Sequence, residues 1–119
     1  MNIIRRILLV EDDPGMRQAI RALLERAGFS VAVAKDGAEA WELLSRGPRP
    51  AAILADLCTP RMTGADLLAR VRRTPRLAHV PIIAMSAEHA TKSRPAAEAF
   101  LEKPFSREQL EWALERVGA

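Results

Sequence analysis

Short apolar runs and helical periods alternate along the chain. Ile7-Leu8-Leu9-Val10 is apolar at every position, the signature of a strand buried on both faces. Pro14 to Ala27 carries Met16, Ala19, Ile20, Leu23, Leu24 and Ala27 at helical spacing, and Gly28 stands where a helix end favours glycine. Phe29 to Ala34 reads as a second strand. Gly37 to Ser45 places Ala40, Trp41 and Leu44 on one helical face, and Gly47-Pro48 stops it. Ala51 to Ala55 is a third strand that runs into Asp56. Ala65 to Arg73 repeats Leu67, Leu68 and Val71 at helical period. Val80 to Met85 forms a fourth strand and Phe100-Leu101-Glu102 a short fifth. Ser106 and Gln109 make a capping box, after which Leu110, Ala113, Leu114 and Val117 supply a buried stripe.

Strands that alternate with helices predict an α/β domain built on a doubly wound parallel sheet, with right-handed crossovers laying helices on both faces. Ligands of such sheets bind outside the carboxyl ends of the strands. The residues at those ends are therefore the candidates for chemistry.

Composition narrows the class. The chain has 119 residues, enough for one domain with its own core, expected over 1–119. One cysteine, Cys58, excludes an internal disulfide and a cysteine-based zinc site. No apolar run is long enough for a membrane span, and the acids after the first apolar run are unlike a signal peptide. A cytoplasmic protein is expected. Lys+Arg number 18 against 15 Asp+Glu, a formal charge of +3. Fifteen of the basic residues are scattered arginines, with doublets only at Arg5-Arg6 and Arg72-Arg73, which reads as solvated surface rather than a nucleic-acid footprint. Arg70, Arg72, Arg73 and Arg76 are expected to form such a face around the end of the third helix.

Four strand ends agree on one chemistry. The first ends in Glu11-Asp12-Asp13, the third in Asp56, the fourth in Ser86 and the fifth in Lys103. Adjacent carboxylates at one rim oppose each other's ionisation unless a cation sits among them. Carboxylates from two strands can hold Mg²⁺, a hard ion that takes oxygen ligands alongside phosphate. A carboxylate can attack phosphorus to give an acyl phosphate, and a hydroxyl with an ammonium can bind the phosphoryl oxygens.

These residues resemble the receiver domain of two-component response regulators. The likeness rests on Leu9-Val10-Glu11-Asp12-Asp13, Asp56-Leu57-Cys58-Thr59-Pro60-Arg61-Met62-Thr63-Gly64, Met85-Ser86-Ala87 and Lys103-Pro104-Phe105, and covers essentially the whole chain. Thr59 departs from it, standing where the family usually has Met. The resemblance implies a flavodoxin-like (βα)₅ fold of the CheY-like superfamily, with strand order 2-1-3-4-5. It implies Asp56 as acceptor of a phosphoryl group from a histidine kinase or phosphotransfer protein. Asp12, Asp56 and the Cys58 backbone carbonyl would bind Mg²⁺, with Glu11 acting on it through water. Ser86 and Lys103 would hold the phosphoryl oxygens, and Phe100 would move with Ser86 on activation. Cys58 and Glu88 occupy positions that tune how fast water attacks the acyl phosphate. The Lys103-Pro104 bond is expected to be cis. A downstream effector protein would read the switch. No direct nucleic-acid contact is expected, and the oligomeric state stays open.

The stretch from Ala87 to Ala99 departs from the family. It is short, has no bulky apolar residue, and contains Pro95, which costs about 3 kcal/mol inside a helix. A helix without an apolar stripe gains little by packing. The family's fourth helix is therefore expected to be short or irregular, which puts the family's usual output face in doubt. His79 and His89 sit in polar loops without metal-ligand neighbours. Trp41 reads as partly core, and Trp112 lies off the last helix's stripe.

Three rivals are weighed against the receiver reading, and the intact acid pair, Asp56, Ser86 and Lys103 argue against the first. One is a pseudo-receiver, a binding module of this fold that is never phosphorylated. The others are a phosphatase with an aspartate nucleophile, which usually wants a second acid where Cys58 stands, and a flavin carrier, which needs a hydroxyl- and glycine-rich loop where Glu11-Asp12-Asp13 stands. The expected protein is a lone receiver, without an effector after its last helix.

Overall fold

The computed structural model describes residues 5–87 and 97–119. Among them run five strands, β1 (Arg6–Val10), β2 (Ser30–Ala34), β3 (Ala52–Asp56), β4 (Ile82–Ser86) and β5 (Ala99–Glu102). Four helices alternate with them: α1 (Pro14–Arg26), α2 (Gly37–Arg46), α3 (Gly64–Arg72) and α4 (Arg107–Arg116). The strands form one parallel sheet in the order β2-β1-β3-β4-β5, the expected topology. The expectation of a short or irregular helix before β5 concerns residues 88–96, which lie outside the described residues.

Alternation along the strands divides the core in two. Leu8 and Val10 of β1 join Ile53 and Ala55 of β3 against Leu44 of α2 and Leu67, Leu68 and Val71 of α3. Ile7 and Leu9 join Leu54, Ile83 and Met85 on the other face, against Ile20 and Leu24 of α1 and Leu110 and Leu114 of α4. A strand covered on both faces has no position left for a polar residue except its end. β3 is buried over all five positions, Asp56 included.

Each helix starts on a side-chain acceptor, which satisfies an amide that the helix itself cannot. Asp13 caps α1, Asp36 caps α2, Thr63 caps α3, and Ser106 with Gln109 forms the expected capping box on α4. α1 ends as its sequence predicts: Gly28 has φ of 99°, its N–H bonds the carbonyl of Glu25, and the Phe29 N–H bonds that of Leu24. This is why β2 starts at Ser30 and not at Phe29. β4 likewise starts at Ile82 rather than Val80, because the Val80 N–H closes a turn on Leu77 and Pro81 has no N–H.

Of the four arginines around the end of α3, Arg70, Arg73 and Arg76 are exposed as expected, and Arg72 departs from that solvated face. Arg72 turns inward, and its Nη1 donates to the carbonyls of Ala78 and Val80, both at 2.9 Å. Its Nη2 takes both carboxylate oxygens of Glu98, at 2.7 and 2.9 Å, and Glu98 accepts the Ile82 amide at 2.6 Å. Arg70 lies over the Trp41 ring at 5.1 Å, and Arg76 donates to the Leu44 carbonyl. Arg73 alone of the four keeps the exposed position without such a contact among those described.

Arg72 thus ties the loop after α3 to the start of both β4 and β5. Arg72→Ala is expected to destabilise the fold by about 2–3 kcal/mol, since it leaves two part-buried carbonyls and a carboxylate without their charged donor. Urea unfolding measures this, and Arg73→Ala serves as the near-neutral comparison.

Candidate functional site

The carboxyl ends of β1, β3, β4 and β5 meet on one rim. Glu11, the first residue after β1, is held in the sheet's line by its N–H on the Ala34 carbonyl at 3.0 Å, and it is 1% exposed. Asp56 closes β3 at 6% exposed. Its next neighbour's amide, Leu57 N–H, bonds the Met85 carbonyl at 2.9 Å, which continues the sheet past the acid. On the far side the Lys103 N–H bonds the Ser86 carbonyl at 2.8 Å, and the Lys103–Pro104 peptide bond is cis.

These backbone positions bring one ammonium between two carboxylates. Lys103 Nζ donates to Asp56 Oδ2 at 2.8 Å and to Glu11 Oε1. The other Asp56 oxygen, Oδ1, accepts the Cys58 N–H at 2.9 Å, and Glu11 Oε2 accepts the Asp13 N–H at 3.2 Å. Asp12 is exposed, and carboxylate oxygens of Glu11, Asp12 and Asp56 lie within 4.8 Å of one another. Asp13 serves the helix instead, its Oδ1 accepting the Gly15 N–H at the start of α1.

Electrostatics follow from this crowding. Burial pushes the Glu11 carboxyl above its ordinary range, and the Lys103 hydrogen bond only partly offsets that. Burial works against the Lys103 ammonium too, but its hydrogen bonds to Asp56 and Glu11 outweigh it and raise its pKa. Three carboxylates against one ammonium leave the rim negative in a chain of net charge +3. The donors are all hard oxygens in close reach, which fits a small divalent cation such as Mg²⁺ and no soft metal.

Close backbone packing holds the acid in place. A Cβ on Gly64 would lie 1.9 Å from the Asp56 carbonyl oxygen, so the start of α3 rests directly on the end of β3. Gly37 does the same at the start of α2: its N–H bonds the Met62 carbonyl at 2.8 Å, and a Cβ there would stand 2.3 Å from that oxygen.

The remaining residues singled out from the sequence take these places. Ser86 ends β4, half-buried, opposite Glu102 of β5. Phe100 is half-buried opposite Ala84 and packs against the core cluster on the α2–α3 side. Cys58 has an exposed side chain and enters the site through its backbone. His79 is exposed. Trp41 is half-buried, and Trp112 is 54% exposed. Glu88 and His89 lie outside the described residues.

Three residues near the rim were not anticipated. Arg17 Nη1 reaches back from α1 to the carbonyls of Glu11, at 2.9 Å, and Asp12, at 3.4 Å. Asp36 and Arg61 form an ion pair beside the loop after Asp56. The Asp36-Gly37-Ala38-Glu39 pattern carries a helix-cap signal that could have revealed Asp36, since an acceptor three residues before Glu is a common N-terminus signature. Nothing in the local pattern marks Arg61 or Arg17, because their partners are set by tertiary structure.

Comparison with known proteins agrees with this fold. A sequence model of the response regulator receiver domain matches residues 7–115. The response regulator Rre1 of Synechocystis sp. is 34% identical over 88% of this chain and 48% of its own length. The sensor histidine kinase TmoS of Ectopseudomonas mendocina is 40% identical over 88% of this chain and 11% of its own length. The chain therefore spans about half, or much less, of these curated relatives. Among solved structures, the chemotaxis response regulator CheY4 of Vibrio cholerae superposes with a TM-score of 0.89 at 30% identity, over 97% of this chain and 99% of that one. The receiver domain of a sensor histidine kinase from Pseudomonas aeruginosa, solved with a magnesium ion coordinated in its active site cleft, gives 0.88 at 30% identity, over 98% and 100%.

The rim's charge balance is open to test by removing its cation. Lys103→Met leaves Glu11 and Asp56 buried without a counter-charge, an expected loss of about 3 kcal/mol at neutral pH. The sign with pH follows from Glu11. Its folded pKa is raised, so its neutral form is favoured in the fold and its ionisation costs stability as pH rises through that value. The deficit of Lys103→Met should therefore shrink as pH falls through the raised Glu11 value. Urea unfolding of both proteins at neutral and acid pH gives the comparison, and a deficit that does not change with pH would contradict it.

Proposed function

This chain belongs to the response regulator receiver domain family, and from that membership we propose that it is a phospho-accepting switch with Asp56 as the acceptor. The observation that carries this reading is the arrangement around Asp56. Its carboxylate stands at a strand end with the Lys103 ammonium on Oδ2 and the Cys58 N–H on Oδ1, and further carboxylate oxygens lie within reach.

In this reading a phosphohistidine of a sensor kinase or phosphotransfer protein is the donor. An Asp56 oxygen attacks the phosphorus in line, the new P–O bond forms as the P–N bond breaks, and the neutral imidazole leaves after taking up a proton. The two contacts on Asp56 hold its carboxylate at a fixed angle, which favours the in-line approach. Asp12, Asp56 and the Cys58 carbonyl would hold Mg²⁺, with Glu11 acting through water. When bound, the ion would neutralise the crowded carboxylates and the incoming phosphoryl oxygens. Lys103 moves its ammonium from carboxylate to phosphoryl oxygen, and Ser86 adds its hydroxyl. The Lys103 N–H on the Ser86 carbonyl links the two groups through one backbone bond. A shift of Ser86 toward the phosphoryl group would open space for Phe100, which biases the surface around β5 between two states. Cys58 and Glu88 would set how readily water reaches the acyl phosphate.

The output is a change in protein–protein contact rather than catalytic turnover, with an effector protein as reader and the cytoplasm, where such donors are made, as its setting. Among the described residues no helix is long and apolar enough to cross a membrane.

Incubation with Mg²⁺ and acetyl phosphate should add a single phosphoryl group by mass, and Asp56→Ala should abolish it. No gain in the wild type would favour the pseudo-receiver reading. Repeated turnover of a phosphomonoester would favour a phosphatase.

A further inference from the structure

We propose that Arg61 is a positioning residue for the metal and phosphoryl site, acting through its ion pair with the buried Asp36. The inference rests on the phosphoacceptor reading of Asp56 and extends the machinery beyond the site's own residues.

The loop from Leu57 to Thr63 connects the acceptor to α3 and carries the Cys58 carbonyl. Its two ends are fixed by Asp56 and by Gly64, which rests on the Asp56 carbonyl. Leu57 is held by its N–H on the Met85 carbonyl, and further along the start of α2 holds the loop from outside. There Asp36 is 2% exposed. Its Oδ1 accepts the Glu39 N–H at 2.8 Å as the cap of α2, and its Oδ2 accepts Arg61 Nε at 2.8 Å, with Arg61 Nη2 on Oδ1 at 3.3 Å. The Arg61 hydrogen bonds hold the Asp36 carboxyl below its ordinary range. Directly beside the pair, the Gly37 N–H bonds the Met62 carbonyl, and the Thr59 hydroxyl bonds the same oxygen at 3.1 Å.

Backbone conformation adds an independent sign of constraint. Arg61 has φ of 61°, alone among the described non-glycine residues in having a positive value. A bulky side chain takes that conformation at a cost, and it persists where surrounding contacts over-determine it. A glycine would meet the conformational demand more easily, yet glycine could not reach Asp36. The arginine is therefore used for its fork. The pair also borders a cleft of about 430 Å³ lined by Asp12, Lys35, Asp36, Pro60 and Arg61, and so shares that cleft with the exposed carboxylate of the acid cluster.

Removing the fork should let the loop relax and move the Cys58 carbonyl away from the carboxylates. Partners that orient ligands from one shell out usually change metal affinity more than they change the fold. Arg61→Gly keeps the left-handed conformation accessible while deleting the pair, and Asp36→Asn deletes the pair's charge without changing the loop backbone. Arg61→Gly is expected to bind Mg²⁺ about tenfold more weakly by calorimetry while still unfolding cooperatively. The Mg²⁺ concentration for half-maximal phosphorylation by acetyl phosphate should rise in parallel, with the rate at saturating Mg²⁺ near that of the wild type. Asp36→Asn retains a cap acceptor and loses the charge, and it should weaken Mg²⁺ binding as well. The double variant should be no weaker than the worse single one, because both delete one interaction. Arg61→Lys should fall between wild type and Arg61→Gly.

Wild-type Mg²⁺ affinity in Arg61→Gly, or losses that add in the double variant, would overturn the proposal. Should Arg61→Gly fail to fold, Asp36→Asn and Arg61→Lys decide by the same criterion. A wild type that binds Mg²⁺ but takes no phosphoryl group would sink the acceptor reading while leaving the positioning role to be judged on affinity. A wild type that binds no Mg²⁺ overturns both.

Discussion

The contact on which this structure turns is the Lys103 ammonium set between Glu11 and Asp56. Without it two carboxylates at 1% and 6% exposure would lie buried side by side with no counter-charge. Their proximity follows from sheet topology. Parallel strands put their carboxyl ends at the same edge, β1 and β3 are neighbours, and each acid directly follows, or ends, a fully apolar run. The lysine arrives from β5, beyond β4, because its backbone is hydrogen-bonded at the end of β4 and its side chain is long enough to cross.

Such a pocket is held together by groups that would serve its ligand better than they serve each other. Burial raises the pKa of Glu11 even with Lys103 present, so the charge balance there is incomplete. The exposed Asp12 adds a third carboxylate and no cation. The surroundings supply rigidity in exchange: Gly64 against the Asp56 carbonyl, the Cys58 N–H on its side chain, and Arg17 on the carbonyls of Glu11 and Asp12. A site preorganised in this way has little freedom to relax its own crowding, which a cation among the carboxylates would relieve.

Much of the fold was legible because its signals are local. Apolar runs marked the strands, and glycine marked the end of α1 where φ reaches 99°. The errors at strand starts came from hydrogen bonds that no propensity encodes, such as the Phe29 N–H returning to Leu24. The carboxylates, Ser86 and Lys103 could be picked out because each follows an apolar run, and a strand buried on both faces leaves only its end for polar chemistry. Asp36 and Arg61 stand 25 positions apart and meet only in the folded chain. Neither lies at the end of an apolar run of the kind that drew attention to Asp56. Thr59, which departs from the family pattern, proves to be buried and to bond the Met62 carbonyl.

The surplus of arginine has the same tertiary origin. Read along the chain it suggested a solvated basic surface, yet several guanidiniums are bound to backbone. Arg5 donates to the Gly118 carbonyl at 3.0 Å, Arg17 to those of Glu11 and Asp12, Arg72 to those of Ala78 and Val80, and Arg76 to that of Leu44. Fifteen of eighteen basic residues are arginine. Lysine carries the same charge, but its three donors radiate from one atom, whereas a planar guanidinium spreads five over three nitrogens. Arg72 uses that spread to serve two carbonyls and a carboxylate at once. Among the described residues the lysine drawn inward is Lys103, where a compact charge sits between two acids. The choice between the two cations therefore follows what each position demands, a fork for fixed carbonyls and a point charge between two carboxylates. The net charge of +3 is the sum of such local placements, three lysines and fifteen arginines against fifteen acids.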